Sequence, residues 1–144
     1  MYSNQGHYEK ALEWLFKALA VFENLPIYNY GTPTVYHNIG DVYYAQEEYD
    51  KALEYFSKAV MSYKEDHPNI AVTCFSIADV CAAQGKYDKA LELYVKAYTA
   101  LVNEFGLEHQ HTKSCYENMR ETYTKTSLPD PFSDWLTAEL AQPN

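Results

Sequence analysis

The sequence predicts an all-α protein, an α-α superhelix (solenoid) of antiparallel helix pairs. A short segment recurs three times, as QGHYEKALEWL, QEEYDKALEYF and QGKYDKALELY. The copies align on Ala11, Ala52 and Ala90, and this regular spacing is typical of stacked supersecondary repeats. The apolar residues within and between the copies follow the spacing of helices, so each repeat is expected to be a helix pair.

Each copy is expected to form the second helix of a pair. In the second copy the apolar residues recur at i, i+3, i+4 and i+7, which is the pattern of one buried helix face. They are Tyr49, Ala52, Leu53, Phe56, Ala59, Val60 and Tyr63. The third copy repeats the pattern, and the short turns QEE and QGK before these copies make the paired helices antiparallel.

The first helix of each pair is expected just before these turns. Thr32-Pro33 and His67-Pro68 each indicate a capping residue followed by proline in the first helical turn. His109 follows His67 by about one repeat, so we expect it to cap a further helix at about 108–126. Gly40 and Ala78 occupy equivalent positions on these helices, where small residues allow a close approach of the partner helix.

The beginning of the chain is expected to lie inside a repeat. Tyr2 precedes Tyr43 by the same interval that separates Ala11 from Ala52, so the residues around Tyr2 correspond to the last turn of a first helix. Two explanations stay open: the chain is a fragment of a longer repeat protein, or the short start is natural. In either case the helix at about 7–23 is expected to have an incompletely covered apolar side, formed by Leu12, Leu15, Phe16, Leu19 and Phe22.

The end of the chain departs from the repeat. Arg120 stands where Gly40 and Ala78 stand earlier, so we expect no helix to pack closely behind it. Pro129 and Pro131 then break the chain. After them Phe132, Trp135, Leu136 and Leu140 follow helical spacing, with Ser133 or Asp130 as candidate caps. We interpret this segment as a terminal capping helix; the alternative is a tethered segment that docks on a groove or on another chain.

These helix pairs resemble the tetratricopeptide repeat (TPR) family. The positions that carry the resemblance are Tyr36, Ile39, Gly40, Tyr43, Tyr49, Ala52, Phe56 and Ala59, with Cys74, Ile77, Ala78, Cys81, Tyr87, Ala90, Tyr94 and Ala97 one repeat later. The long period and the segment DHPNIAV resemble the kinesin-light-chain-like subclass. The resemblance implies a repeat region at 1–126, with units at about 2–30, 31–67 and 68–107 and a partial unit at 108–126, followed by a capping helix and tail at 127–144.

The resemblance also implies a concave groove that binds a peptide of a partner protein. The groove residues would be His37, Asn38, Asp41, Tyr44, Phe75, Asp79, Glu117, Asn118 and Glu121. The carboxylate clamp of this family needs Lys or Arg at such positions, but four of them are acidic, so a co-chaperone function is not expected. An acidic groove with aromatic anchors favours a basic or aromatic peptide segment, whose backbone the Asn38 amide would hold.

Composition excludes several other classes of partner and chemistry. The formal net charge is −9, which disfavours nucleic acid and anionic membranes as partners. The three cysteines do not form a disulfide framework, so a cytoplasmic, reducing location is expected.

His109 and His111 are at i and i+2, a spacing that chelates a metal poorly on a helix. No metal, cofactor or catalytic constellation is expected, and the protein is not expected to be an enzyme.

Three functions remain open at this point. The first is a non-catalytic protein–protein interaction module. The second is a self-assembling structural solenoid, with a homodimer formed through the N-terminal helix face or the C-terminal helix. The third is a regulatory domain of a larger signalling protein or enzyme. A fold of this kind does not choose between them.

Overall fold

The computed structural model describes residues 5–25, 29, 31–64 and 67–142. Within these residues the chain forms seven α-helices and no strand, which confirms the predicted all-α fold. The helices are α1 (Gln5–Glu23), α2 (Gly31–Ala45), α3 (Tyr49–Ser62), α4 (Pro68–Ala83), α5 (Tyr87–Phe105), α6 (Gln110–Tyr123) and α7 (Phe132–Leu140). Tyr2 lies outside the described residues, and the predicted repeat boundaries stay predictions.

The chain divides into two compact units, residues 1–73 and residues 74–144. In the first unit α2 packs against α1 and α3. Leu19 of α1 forms a buried cluster with Val35 and Ile39 of α2. Gly40 brings α2 close to α3, because a Cβ atom on this residue would lie 2.6 Å from the ring of Phe56. The small residue predicted at this position is therefore required by the packing of an aromatic ring.

In the second unit α5 packs against both α6 and α7. The core consists of fully or almost fully buried side chains, namely Ala78, Tyr94, Ala97, Leu101, Cys115, Met119 and Leu136. The ring of Phe132 lies 5.5 Å from both Tyr116 and Tyr123. The Tyr123 hydroxyl donates a hydrogen bond of 2.5 Å to the Asp130 carbonyl, which fixes the segment between α6 and α7. The last helix thus packs on α5 and, through Phe132, on Tyr116 and Tyr123 of α6.

The turns between paired helices repeat in detail. The Glu48 amide donates to the Tyr43 carbonyl, and the Lys86 amide donates to the Cys81 carbonyl, both at 2.9 Å. The turn residues Glu47 and Gly85 both have positive φ values, 62° and 81°. A left-handed residue of this kind closes a helix by satisfying its last carbonyl groups. The short turns predicted from QEE and QGK are therefore present.

The helix caps are partly as predicted. The His67 ring accepts a hydrogen bond from the Asn69 amide, and the His109 ring accepts one from the His111 amide, each at 3.1 Å. The His67 ring stacks on Tyr63 at 4.7 Å, and the His109 ring stacks on Phe105 at 4.4 Å. A histidine cap held by an aromatic ring thus occurs at equivalent places in two successive repeats.

The other two cap assignments are wrong. Helix α2 begins at Gly31, so Thr32 lies inside its first turn. Its amide donates to the Asn29 side chain at 2.9 Å, and Asn29 therefore caps the helix instead. Helix α7 follows Pro131, with no capping side chain. The fixed φ angle of proline prepares the chain for this helix start.

Replacement of either capping histidine by alanine is expected to lower the free energy of unfolding by about 1 kcal/mol, the usual cost of a lost side-chain cap. The His67→Asn and His109→Asn variants serve as matched controls, because asparagine accepts the same hydrogen bond without the ring. Urea unfolding followed by circular dichroism measures the change. Alanine variants as stable as the unmodified protein would show that these rings do not cap.

Candidate functional site

An exposed polar face runs along α2 in the first unit. Asn38, Asp41 and Tyr44 are exposed on this helix, whereas Val35 and Ile39 on the opposite side are buried. The Tyr44 ring is 37% exposed and lies 5.8 Å from the ring of Tyr49. We call Asn38, Asp41 and Tyr44 the α2 stripe. It combines an amide, a carboxylate and an aromatic ring on one surface.

His37 lies beside this stripe but is held by the fold. Its Nδ1 atom lies 2.9 Å from the Thr73 hydroxyl, and Thr73 is completely buried. Its Nε2 atom lies 3.4 Å from the Asp41 carboxylate. The ring also packs 5.2 Å from Phe56. His37 therefore connects the stripe to the interior of the first unit and orients Asp41, whereas the sequence predicted it as a contact residue.

Asp79 is predicted as an acidic groove residue, and hydrogen bonds within the second unit hold its carboxylate. One oxygen of its partly buried carboxylate accepts hydrogen bonds from the Tyr94 hydroxyl at 2.5 Å and from the Asn118 amide at 3.0 Å. Burial raises the pKa of Asp79, against the effect of these two hydrogen bonds. Burial, and then the neighbouring Asp79 charge, raise the pKa of Tyr94. Asp79 and Asn118 thus join α4, α5 and α6 to one another.

Phe75 was predicted as an apolar anchor for a ligand, but it is only 9% exposed. Its ring lies 6.2 Å from the ring of Tyr94, in the core of the second unit. The sequence placed Phe75 in the groove because its position on α4 corresponds, one repeat later, to that of His37 on α2. The packing of the neighbouring helix α5 therefore limits the exposure of this position, and a role of Phe75 as an apolar anchor stays a prediction.

Glu117 and Glu121 are exposed on α6, as the sequence predicted. The Glu117 carboxylate forms an ion pair with Arg120 at 2.6 Å, so its charge is already partly balanced. Arg120 is itself exposed, in agreement with the expectation that no helix packs closely behind it. Two of the four predicted acidic residues thus have partners within the fold, because Asp79 is hydrogen-bonded and Glu117 has a cationic neighbour. The acidic groove itself stays a prediction.

A cleft lies between α5 and α7, and the sequence pattern does not predict it. It encloses about 440 Å³. Its apolar lining comes from Leu91 and Val95 on α5, Leu128 before α7 and Trp135 on α7. The amphipathic pattern of the last helix was visible in the sequence. The sequence did not show on which side of α5 this helix docks, because the proline-containing segment before α7 has no periodic pattern of apolar residues.

The cysteines and histidines show no arrangement for catalysis or metal binding in the part of the chain that the structure describes. Burial raises the pKa of Cys115 to about 12, and burial also raises the pKa of Cys74 and of Cys81, so none of these thiols is activated. No cluster of three or more potential metal ligands occurs among the described residues. No described helix is long and apolar enough to cross a membrane.

Asp79→Asn is expected to change how stability depends on pH. The raised pKa means that folded Asp79 keeps its proton to higher pH than the unfolded chain, where the pKa is about 3.9. Its contribution to stability is therefore complete below that value and is lost as the pH rises through the folded pKa. The variant lacks this loss, so its unfolding free energy should rise relative to the unmodified protein between about pH 4 and pH 7.5.

Urea unfolding of both proteins at the two pH values tests this expectation. Glu104→Gln, an exposed carboxylate change on α5, is the control and should show no such trend. A constant or falling stability difference between Asp79→Asn and the unmodified protein would contradict the assignment.

Comparisons with known proteins agree with this architecture. Two tetratricopeptide repeat models match residues 1–65 and residues 73–107, which together make up more than two thirds of the chain. No curated protein matches the chain.

Solved structures show the same fold. BtubC (BKLC) from P. vanneervenii is 20% identical with a TM-score of 0.76, and the match covers 85% of this chain and 50% of that one. One structure of a kinesin-light-chain-like protein of nearly identical TPR-like repeats from Podosopora anserina is 17% identical with a TM-score of 0.65, and the match covers 94% of this chain and 66% of that one. A second structure of such repeats from Podosopora anserina is 18% identical with a TM-score of 0.61, and the match covers 83% of this chain and 59% of that one.

The chain thus spans from half to about two thirds of the length of these structures. Likeness at this level of identity concerns the fold, whereas the two repeat models concern the sequence pattern itself. The two repeat models agree with the helix pairs, the glycine that faces Phe56 and the repeated turns of the structure. The chain belongs to the tetratricopeptide repeat family.

Proposed function

We propose that this chain is a non-catalytic protein–protein interaction module that binds a peptide segment of a partner protein. TPR repeats generally mediate protein–protein interaction or scaffolding, which supports the proposal. The three free thiols support a cytoplasmic, reducing location as part of it.

The observation that carries the proposal is the α2 stripe. Asn38, Asp41 and Tyr44 are exposed on a helix whose other side is locked by Val35 and Ile39. A rigid helix that presents such groups to solvent pre-organises a binding surface. The Asn38 amide can both donate to and accept from a peptide backbone, Asp41 attracts Lys or Arg, and the Tyr44 ring provides an apolar contact.

In the second unit the exposed carboxylates of Glu117 and Glu121 on α6 provide a separate polar surface. Arg120 lowers the local negative charge beside Glu117. We therefore expect this surface to contribute less to the recognition of basic ligands than a fully acidic groove would.

Selection from a phage-displayed library of short random peptides tests the proposal. A selected peptide should bind the Asn38→Ala/Asp41→Ala double variant roughly tenfold more weakly, which corresponds to about 1.4 kcal/mol. The matched control is Glu13→Gln on α1, where an exposed carboxylate pairs with Lys17 and its loss should leave binding unchanged. No enrichment over the urea-unfolded chain would contradict peptide binding by this chain, and equal affinity of all variants would contradict the assignment of binding to the α2 stripe.

Self-assembly is a second candidate, and one observation favours it. Trp14 on α1 is 72% exposed. Its equivalent one repeat later is Tyr55 on α3, whose ring is covered by Phe16 of α1 at 5.9 Å and by Tyr43 of α2 at 5.7 Å. A second copy of the chain is the occupant that would give Trp14 a comparable covering, because it offers the same kind of helix surface.

Light-scattering mass measurement at two protein concentrations distinguishes this candidate. Self-assembly predicts a dimer that dissociates in a Trp14→Glu variant. Circular dichroism of this variant is the control that it is still folded. A monomer of 16.6 kDa at both concentrations would exclude assembly through this face.

A further inference from the structure

The cleft between α5 and α7 has the composition of a side-chain pocket. Its apolar lining is formed by Leu91, Val95, Leu128 and Trp135. Leu128 is 42% exposed, so this lining is open to solvent. The Trp135 ring is held from behind by Tyr123 at 5.1 Å and by Phe132 at 5.9 Å. Because the aromatic wall of the cleft is already fixed, binding of an apolar side chain there costs little conformational entropy of the protein.

The rim of the cleft is acidic. It carries Asp88, Glu92 and Glu139 together with a single cation, Lys96. Lys96 lies 3.7 Å from Glu92, so these two charges balance each other. Neither Asp88 nor Glu139 forms an ion pair with any residue that the structure describes. The cleft therefore has two uncompensated carboxylates beside an apolar surface.

We propose that this cleft binds a basic peptide segment that carries one large aliphatic side chain. The aliphatic group would lie against Trp135 and Leu128, and flanking Lys or Arg side chains would approach Asp88 and Glu139. A second copy of this chain is a poor occupant, because a net charge of −9 would bring more negative charge to an acidic rim. The inference deepens the proposed interaction function and rests on it.

Trp135 provides a direct reporter of this cleft. The chain has two tryptophans, so Trp135 is the single one in a Trp14→Phe variant. The probe is the fluorescein-labelled peptide acetyl-Lys-Leu-Lys-Arg-amide. Its binding is followed by anisotropy of the label, and the unlabelled peptide is titrated while Trp135 emission is recorded. The matched probe acetyl-Gln-Leu-Gln-Gln-amide has the same aliphatic group without the charges.

Binding in the cleft predicts a saturable change in Trp135 emission with the basic peptide and a much smaller one with the neutral peptide. The Asp88→Asn/Glu139→Gln double variant should bind the basic peptide roughly tenfold more weakly. Glu104→Gln removes a carboxylate from the same helix outside the cleft and should leave affinity unchanged. Circular dichroism verifies that each variant is folded.

Two results would overturn the proposal. Equal affinity of the double variant and Glu104→Gln would show that the rim carboxylates do not select the ligand. A rise in anisotropy with unchanged Trp135 emission would place the peptide elsewhere; it would remove the cleft and leave the interaction module intact. Failure of the interaction module itself is detected separately, by the peptide selection described above.

Discussion

Replacement of Tyr94 by alanine is expected to lower the free energy of unfolding by about 3–5 kcal/mol, the range for loss of a large buried aromatic side chain. Tyr94 is 1% exposed and is the largest fully buried residue among those described. Its removal creates a cavity beside Phe75 and leaves the Asp79 carboxylate without its shorter hydrogen bond. Both losses act on the contacts that join α5 to its neighbours.

Tyr94→Phe separates these two contributions. It keeps the ring and removes only the hydroxyl, so the expected cost is about 1–3 kcal/mol for a partly buried carboxylate that loses one donor. Asn118 still donates to Asp79 in this variant. Urea unfolding of the three proteins gives the comparison. If Tyr94→Ala lowered the free energy of unfolding no more than Tyr94→Phe does, the ring would not be the centre of the second unit.

Gly40→Ala is the second large expected effect, because it adds a single methyl group where there is no room. The new Cβ atom would lie 2.6 Å from the Phe56 ring, and Phe56 is 1% exposed. Overpacking of this kind typically costs about 1–3 kcal/mol. The loss should appear in the first unit, because α2 can accommodate the methyl group only by moving away from α3.

Gly6→Ala is the matched control for this prediction. Gly6 also lies in a helix, but a Cβ atom on it would meet nothing within 4 Å. Alanine there is expected to stabilise the protein by about 0.5–1 kcal/mol, through its higher helix propensity. A Phe56→Leu change in the Gly40→Ala background should recover part of the lost stability. If Gly40→Ala were as stable as Gly6→Ala, the close contact between α2 and α3 would be wrong.

The sequence was sufficient for the fold because the fold is repeated. The spacing of Ala52 and Ala90 predicted equivalent helices, and the shared position of His67 and His109 predicted equivalent caps. These features depend on local spacing and on nearest-neighbour packing, which a single sequence records directly.

The candidate site was predicted less completely, because the exposure of a side chain depends on residues distant in sequence. Asp79 has a helical position that suits a groove, but Tyr94 on the next helix and Asn118 on the one after it hold its carboxylate. Phe75 is covered by the same tyrosine. The cleft beside Trp135 depends on how α7 docks after an aperiodic segment, which no local pattern specifies.

The most direct test of the interaction module is amide chemical-shift mapping with a peptide selected from the random library. We expect saturable shifts that include the amides of Asn38, Asp41 and Tyr44 on α2, with smaller changes at Glu13 on α1. Loss of those shifts in the Asn38→Ala/Asp41→Ala variant would tie binding to the stripe. A spectrum that stays unchanged on addition of every selected peptide would contradict the claim that this chain binds peptide segments.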